Sequence, residues 1–348
     1  MIARCLILLA SLSASAVGAQ GFAGLGTTTQ GFAMPDAQKA LTFPRDHLSH
    51  DAFRIEWWYL TATLDGADGR DYGLQWTLFR TAMEPGEDVG WSSPHVWLGH
   101  AAVTTPDRHF AAEKFARGGI GQAGVSGDPF DAWIDDWQLV SDDAEFEVMR
   151  ARAGASTWGY EVSLTANGPL VAHGEGGYSV KSPSGQASHY YSQPFFAVSG
   201  VLTLPDGPVA VTGKGWLDRE WSSQPLAEDQ SGWDWFSLSF DSGDKLMAFR
   251  LRDGGAGFRS GTWISADGQV QRLGDDQIVA TPLDLVAVAG RDIPVRWRLQ
   301  VPLYGVDVEV SALNPNSWMD LSIAYWEGPL TVSGSHQGRG YLEMTGYE

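Results

Sequence analysis

The sequence predicts an all-β protein: two consecutive antiparallel β-barrels with a ligand cavity in or between them. Three observations carry this expectation. Short alternating runs rich in Val, Thr, Tyr, Trp and Phe recur from Phe53 onward, and these residues suit a pleated, half-buried surface. Forty-two Gly and 17 Pro punctuate the 348 residues at turn positions rather than clustering. The chain also repeats itself. Gly213-Lys214-Gly215-Trp216-Leu217-Asp218 returns as Gly338-Arg339-Gly340-Tyr341-Leu342-Glu343, and Trp58-Tyr59-Leu60 returns as Trp235-Phe236-Ser237.

Taken in order, residues 1–19 read as a secretory signal peptide. Arg4 supplies the positive start, Cys5 to Leu12 form an apolar stretch too short to span a bilayer, and Val17 and Ala19 are the small residues before a cut. Cys5 is the single cysteine and leaves with that segment, so the mature chain is expected to hold no disulfide and no thiolate. Residues 20–42, rich in Gly, Thr, Gln and Ala, read as a flexible leader. Strands follow at Arg54–Leu64, Tyr72–Phe79, Val96–Val103, Phe146–Arg150, Tyr160–Leu164 and Val209–Thr212. One short helix is expected near Ala112–Arg117. After a junction near Ser222–Gly232 come strands at Trp235–Phe240, Leu246–Leu251, Val295–Val301 and Val306–Val310. The domain reading is therefore 43–223 and 224–348.

Acidic residues outnumber basic ones 42 to 23, a formal charge of −19, which disfavours nucleic acid and anionic membrane surfaces. No stretch after the signal has the length of a membrane span, so the expected location is periplasmic or extracellular.

Period-two geometry puts Trp216, Asp218 and Glu220 on one strand face and Leu217, Arg219 and Trp221 on the other. An Asp beside a Trp in a dry interior holds its proton toward neutral pH, while a salt-bridge cluster with a neighbouring Arg is the structural alternative. His189 and Tyr191 share a face of a second polar–aromatic strand, and a His there is able to position water or take its proton. Arg54, Glu56 and Trp58 share a third face, where a buried ion pair explains Glu56 more simply than a catalytic acid. Trp133-Ile134-Asp135-Asp136-Trp137 has the composition of a sugar site, but adjacent Asp residues on a strand point to opposite faces. There is no Gly-x-Ser-x-Gly elbow, Walker loop or His-Glu-x-x-His, and no metal is expected.

Phe43-Pro44-Arg45-Asp46-His47, Phe53-Arg54-Ile55-Glu56-Trp57-Trp58-Tyr59, Gly215-Trp216-Leu217-Asp218-Arg219-Glu220-Trp221 and Trp233-Asp234-Trp235-Phe236 together resemble the carotenoid 1,2-hydratase-like family. Its bacterial members are often labelled predicted secreted hydrolases or lipocalin-like proteins. The resemblance runs from about Phe43 to Tyr347 and implies two consecutive lipocalin-like barrels holding an apolar, often unsaturated small molecule. By the same resemblance, His189, Tyr191, Trp216 and Asp218 match the residues associated with hydratase activity. Tyr191 and Trp216 exchange the Trp and Tyr of that pattern. Trp58, Trp235 and Tyr190 are the aromatic candidates for substrate binding, and Glu56, Arg219 and Glu220 the supporting charges. In the reaction so implied, protonated Asp218 protonates an alkene, Trp216 and Tyr191 face the carbocation, and His189 orients water; no cofactor is required. Two other readings stay open: a non-catalytic carrier of a hydrophobic ligand, and a secreted hydrolase.

Overall fold

The computed structural model describes residues 29–143, 146–224, 226 and 230–347. The expected signal peptide 1–19 and Cys5 lie outside the described residues. Among these residues the regular structure is β-strand with short 3₁₀ turns and no α-helix. A 13-stranded antiparallel sheet takes β1 (Ile55–Gly66), β2 (Asp71–Ala82), β3 (His95–Thr104), β4 (His109–Arg117), β5 (Ala123–Gly127), β6 (Phe130–Ile134), β7 (Trp137–Ser141), β8 (Val148–Ala155), β9 (Trp158–Ala166), β10 (Val171–Ala172), β11 (Tyr178–Val180), β12 (Ala187–Leu204) and β13 (Gly207–Ser222). A 10-stranded sheet takes β14 (Gly232–Phe240), β15 (Lys245–Arg252), β16 (Phe258–Ile264), β17 (Val270–Leu273), β18 (Val279–Val288), β19 (Arg291–Val301), β20 (Val306–Ala312), β21 (Trp318–Met319), β22 (Tyr325–Gly334) and β23 (Gly338–Met344).

The first sheet runs in the order β4-β3-β2-β1-β13-β12-β9-β8-β7-β6-β5 and curls until its two ends meet, a nearly closed barrel. The second runs β17-β16-β15-β14-β23-β22-β20-β19-β18 and forms a half-barrel. The segment expected to be helical, Ala112–Arg117, is instead the end of β4. Its Ala-Ala-Glu-Lys run favours helix locally, but pairing along β3 from Val96↔Arg117 to Thr104↔His109 overrides that preference.

The first barrel is filled, not hollow. Trp58, Leu60, Trp76, Leu78, Trp97, Trp137 and Leu139, each at most 1% exposed, pack into one core. Phe236, Leu238, Trp297, Leu299, Trp326 and Leu342 fill the concave side of the half-barrel. A third apolar layer lies between the two sheets, where the outer side of β1, β12 and β13 meets the outer side of β14, β15 and β23: Tyr59, Tyr190 and Trp216 from one, Trp235, Met247, Phe249 and Tyr341 from the other. The strands at this seam are buried on both faces, and the charged residues they carry, Glu56, Asp218, Arg219 and Glu220, are buried with them.

The repeat occupies equivalent places. β1 pairs with β13, and β14 with β23, each joining the first strand of a sheet to its last. Thr61 faces Trp216 as Ser237 faces Tyr341, which makes Tyr59, not Trp58, the counterpart of Trp235. The repeated glycines have a steric role. A Cβ at Gly213 would lie 2.1 Å from the Thr63 carbonyl oxygen, and one at Gly338 2.3 Å from that of Ser239.

Residues 29–42 lie against the first barrel. Phe32 is buried, Ala33 N–H donates to the Ala52 carbonyl at 2.8 Å, and Asp36 N–H donates to His189 Nε2 at 3.3 Å.

Candidate active site at the seam

A cavity opens in the layer between the sheets. Trp57, Tyr59, Tyr190, Asp218 and Glu220 line it from the first sheet, and Trp233, Trp235, Phe249, Tyr325 and Glu343 from the second. Lys181, His100 and Ser188 belong to its polar wall, with Gln186, Gln224 and Gln230. Eight aromatic rings line it, together with three carboxyl groups and one ammonium group.

Asp218 lies in the last third of β13 and is 2% exposed. Trp216 Nε1–H donates to its Oδ1 at 2.8 Å, and the Ser192 hydroxyl donates to the same oxygen. No cation pairs with it among the described residues. Burial is the dominant effect and lifts its carboxyl to about 7, against the lowering by Ser192 and Trp216. Neighbouring Glu220 differs: Lys181 Nζ stands 2.7 Å from it, and the Ser188 hydroxyl donates to it. Lys181 also sits over the rings of Phe249 and Tyr190, at 4.4 and 4.8 Å.

Glu343, the repeat counterpart of Asp218, faces the cavity from β23. Trp233 Nε1–H donates to it at 2.5 Å, and burial lifts its carboxyl to about 7. Directly across the ladder, Glu327 accepts the Tyr59 hydroxyl, and burial raises its carboxyl well above the ordinary range. Trp235 Nε1–H donates to the Tyr190 hydroxyl at 3.1 Å, tying the two sheets at the cavity wall.

The sequence candidates divide between two faces. Trp216, Asp218 and Glu220 share the seam face, and Tyr190 and Trp235 line the cavity. His189 and Tyr191 do not join them. Register sets His189 against Trp221 and Tyr191 against Arg219, so both side chains point away from Asp218. His189 packs on Phe53 and Trp221, and burial lowers it to about 4. The Tyr191 hydroxyl bonds His47 Nδ1 at 2.6 Å. Trp58 is a core residue of the first barrel, with Arg219 3.8 Å over its ring; its neighbours Trp57 and Tyr59 line the cavity instead. Strand parity explains each displacement, because one residue of shift reverses the face.

Glu56 anchors a buried ion cluster. Arg219 reaches its Oε1 at 2.7 Å, Arg80 its Oε2 at 3.1 Å, and His50 Nδ1 its Oε1 at 2.7 Å. Although burial alone would raise it, His50, Arg219 and Arg80 together hold Glu56 far below the usual carboxylate range. Asp135 and Asp136 form a hairpin turn between β6 and β7 and pair with Lys114 at the surface.

His173 escaped the sequence reading. Its Nε2 bonds Ser192 Oγ at 2.6 Å and its Nδ1 bonds Thr262 Oγ1 of the second sheet at 2.9 Å, completing a chain Thr262–His173–Ser192–Asp218. The residue types are those of a hydrolytic triad, but the wiring is not. Ser192 stands between His173 and Asp218, and its hydroxyl proton is directed at the carboxylate rather than the imidazole. Burial lowers His173 to about 3, so it stays neutral.

No curated protein sequence matches the chain. Among solved structures, the chain is similar to a Nitrosomonas europaea protein described as an AttH, at 33% identity and TM-score 0.80, covering 91% of this chain and all of that one. It is also similar in fold to kievitone hydratase from Nectria haematococca, at 17% identity and TM-score 0.67, covering 90% of this chain and 98% of the other. The AttH-like family model matches residues 34–347, nearly the whole of the described chain. On that match and the Nitrosomonas relative, the chain belongs to the AttH-like family.

Proposed function

We propose that this protein is a cofactor-independent hydratase-type lyase, acting after export on an apolar, unsaturated small molecule of terpenoid, carotenoid or lipid-like class. One observation carries the reading: Asp218 is a buried carboxyl with no cation beside it among the described residues, lifted to about 7, in a cavity walled by aromatic rings. Hydrating an isolated alkene requires a strong, desolvated acid aimed at carbon, and a carboxyl kept neutral by apolar surroundings meets that need. The likeness in fold to a kievitone hydratase agrees with this chemistry.

In the reaction, the Asp218 proton adds to one alkene carbon and the π pair forms the new C–H bond. The tertiary cation left on the other carbon lies against the ring faces of Trp57, Trp235 and Tyr190, whose quadrupoles attract positive charge. Water then forms the C–O bond and passes one of its protons to a carboxylate of the cavity wall. The Thr262–His173–Ser192 chain fixes the Asp218 side chain during these steps.

The test is incubation of wild type and Asp218→Asn with terpenoid, carotenoid and unsaturated-lipid alkenes in isotopically labelled water. Wild type is expected to yield a product heavier by one water, with the rate reduced ~10²–10⁴-fold in the variant. Full activity in Asp218→Asn would remove the acid assignment. The apolar lining equally suits a carrier. That reading gains if the alkene binds tightly and returns unchanged from wild type.

A further inference from the structure

We propose that Glu343 is the second acid–base group of this cavity, paired with Asp218 across the two sheets around a ligand whose reacting carbon becomes cationic. This inference rests on the hydratase reading and names the group that accepts the proton from water.

The placement follows from the repeat. Asp218 faces Tyr59 across the β1–β13 ladder, and Glu343 faces Trp235 across the β14–β23 ladder. All four residues line the one cavity. Each carboxyl accepts an indole N–H, from Trp216 at 2.8 Å and from Trp233 at 2.5 Å. Neither has a cation partner among the described residues. Three other buried carboxyls do: Glu220 has Lys181, Asp234 has Arg252 at 2.5 Å, and Glu56 has two arginines. Each of these three carboxylates is neutralised by a cation, whereas among the described residues neither carboxyl of the cavity pair is.

Glu327 supports the assignment from behind. It is 1% exposed and does not line the cavity, Tyr59 donates to its Oε1, and Tyr325 is a second hydrogen-bonding partner. Held protonated, it places no like charge beside Glu343, which remains free to exchange a proton near neutral pH. The proton account closes. Asp218 gives one proton to carbon, the Glu343 carboxylate takes one from the attacking water, and passage of that proton from Glu343 back to Asp218 through a second water restores the site. The net change is addition of one H₂O.

The experiment uses a cation and its uncharged isostere, benzyltrimethylammonium and neopentylbenzene, titrated at pH 8 against the tryptophan fluorescence of the full chain. Wild type is expected to prefer the cation by ~10-fold or more. Glu343→Gln and Asp218→Asn should each lose most of that preference while binding neopentylbenzene as wild type does, and Glu343→Asp should retain it. An unchanged preference in Glu343→Gln overturns the proposal. Loss of neopentylbenzene binding in Glu343→Gln but not in Glu343→Asp would mark a purely structural role and overturn it equally. With a hydrated alkene in hand, Glu343→Gln should lower kcat more than it changes KM and remove one limb of the pH profile. If no alkene is hydrated yet both variants lose the cation preference, the paired carboxyls stand and the hydratase reading falls. If an alkene is hydrated with unaltered kcat by Glu343→Gln, only the pairing falls.

Discussion

Asp218 and Glu56 are the same functional group in opposite surroundings. Both are buried on neighbouring strands. Glu56 has Arg80, Arg219 and His50 around it and remains ionised, whereas Asp218 has hydroxyls and an indole as its hydrogen-bond partners among the described residues and is lifted to about 7. The consequences for stability are opposite in sign. The folded Asp218 pKa lies above the ordinary Asp value of 3.8, so its contribution is fully present at low pH and is lost as pH rises from about 4 to about 7. Asp218→Asn should therefore gain stability over wild type at pH 8 and gain less at pH 5, as read by denaturant titration at the two pH values. Glu56→Gln should cost about 3–5 kcal/mol at pH 7, because two buried arginines lose their counter-charge. For activity, the acid form of Asp218 is the working form, so the rate should fall as pH rises through about 7. A pH–rate profile with the opposite slope would exclude it as proton donor.

At the scale of the strand, parity decides everything that chemistry does not. Trp57 and Trp58 are adjacent in β1, yet Trp58 is a sealed core residue and Trp57 a cavity wall. Trp58→Ala should cost about 3–5 kcal/mol in stability, while Trp57→Ala should leave the melting temperature much closer to wild type and weaken ligand binding. Thermal melts and a ligand titration on the two variants separate these outcomes. The faces of β13 were legible, since Trp216-Leu217-Asp218-Arg219-Glu220-Trp221 alternates whatever its neighbours are. The orientation of His189 and Tyr191 relative to that strand was not. It depends on the pairing Tyr191↔Arg219, and a residue pattern within β12 carries no information on which β13 residue it will face. The glycines of the repeat were legible as a pattern, and their cause, a partner carbonyl about 2 Å from where a Cβ would stand, belongs to the ladder.

For the whole molecule, the packed interior of the first barrel is the controlling fact. Four tryptophans, Trp58, Trp76, Trp97 and Trp137, occupy the space in which a hollow barrel would hold a ligand. The cavity lies instead where the two sheets meet. Polar ties cross that seam at Tyr59–Glu327, Tyr190–Trp235, His173–Thr262 and His100–Tyr325. The sheets approach closely at Gly73, where a Cβ would stand 2.5 Å from the Pro329 ring. Gly73→Leu should force the seam apart and cost about 1–3 kcal/mol, and the same variant should bind cavity ligands less tightly than its stability loss explains. A melting temperature equal to wild type would mean that the approach at Gly73 is not tight.

The all-β class and the division into two sheets follow from local features: alternation, turn residues and a repeated motif that a single chain displays without folding; Asp218 is singled out by its place beside Trp216 and by the resemblance of its strand to the hydratase-like family. Which aromatics form a core, which form a cavity wall, and which residues accompany Asp218 were decided only when strands paired. The reason is physical. Strands buried on both faces lack the apolar-in, polar-out alternation that would mark their orientation, and a contact between Asp218 and Tyr190, or Tyr59 and Glu327, is created by ladder register and sheet-on-sheet packing rather than by spacing along the chain.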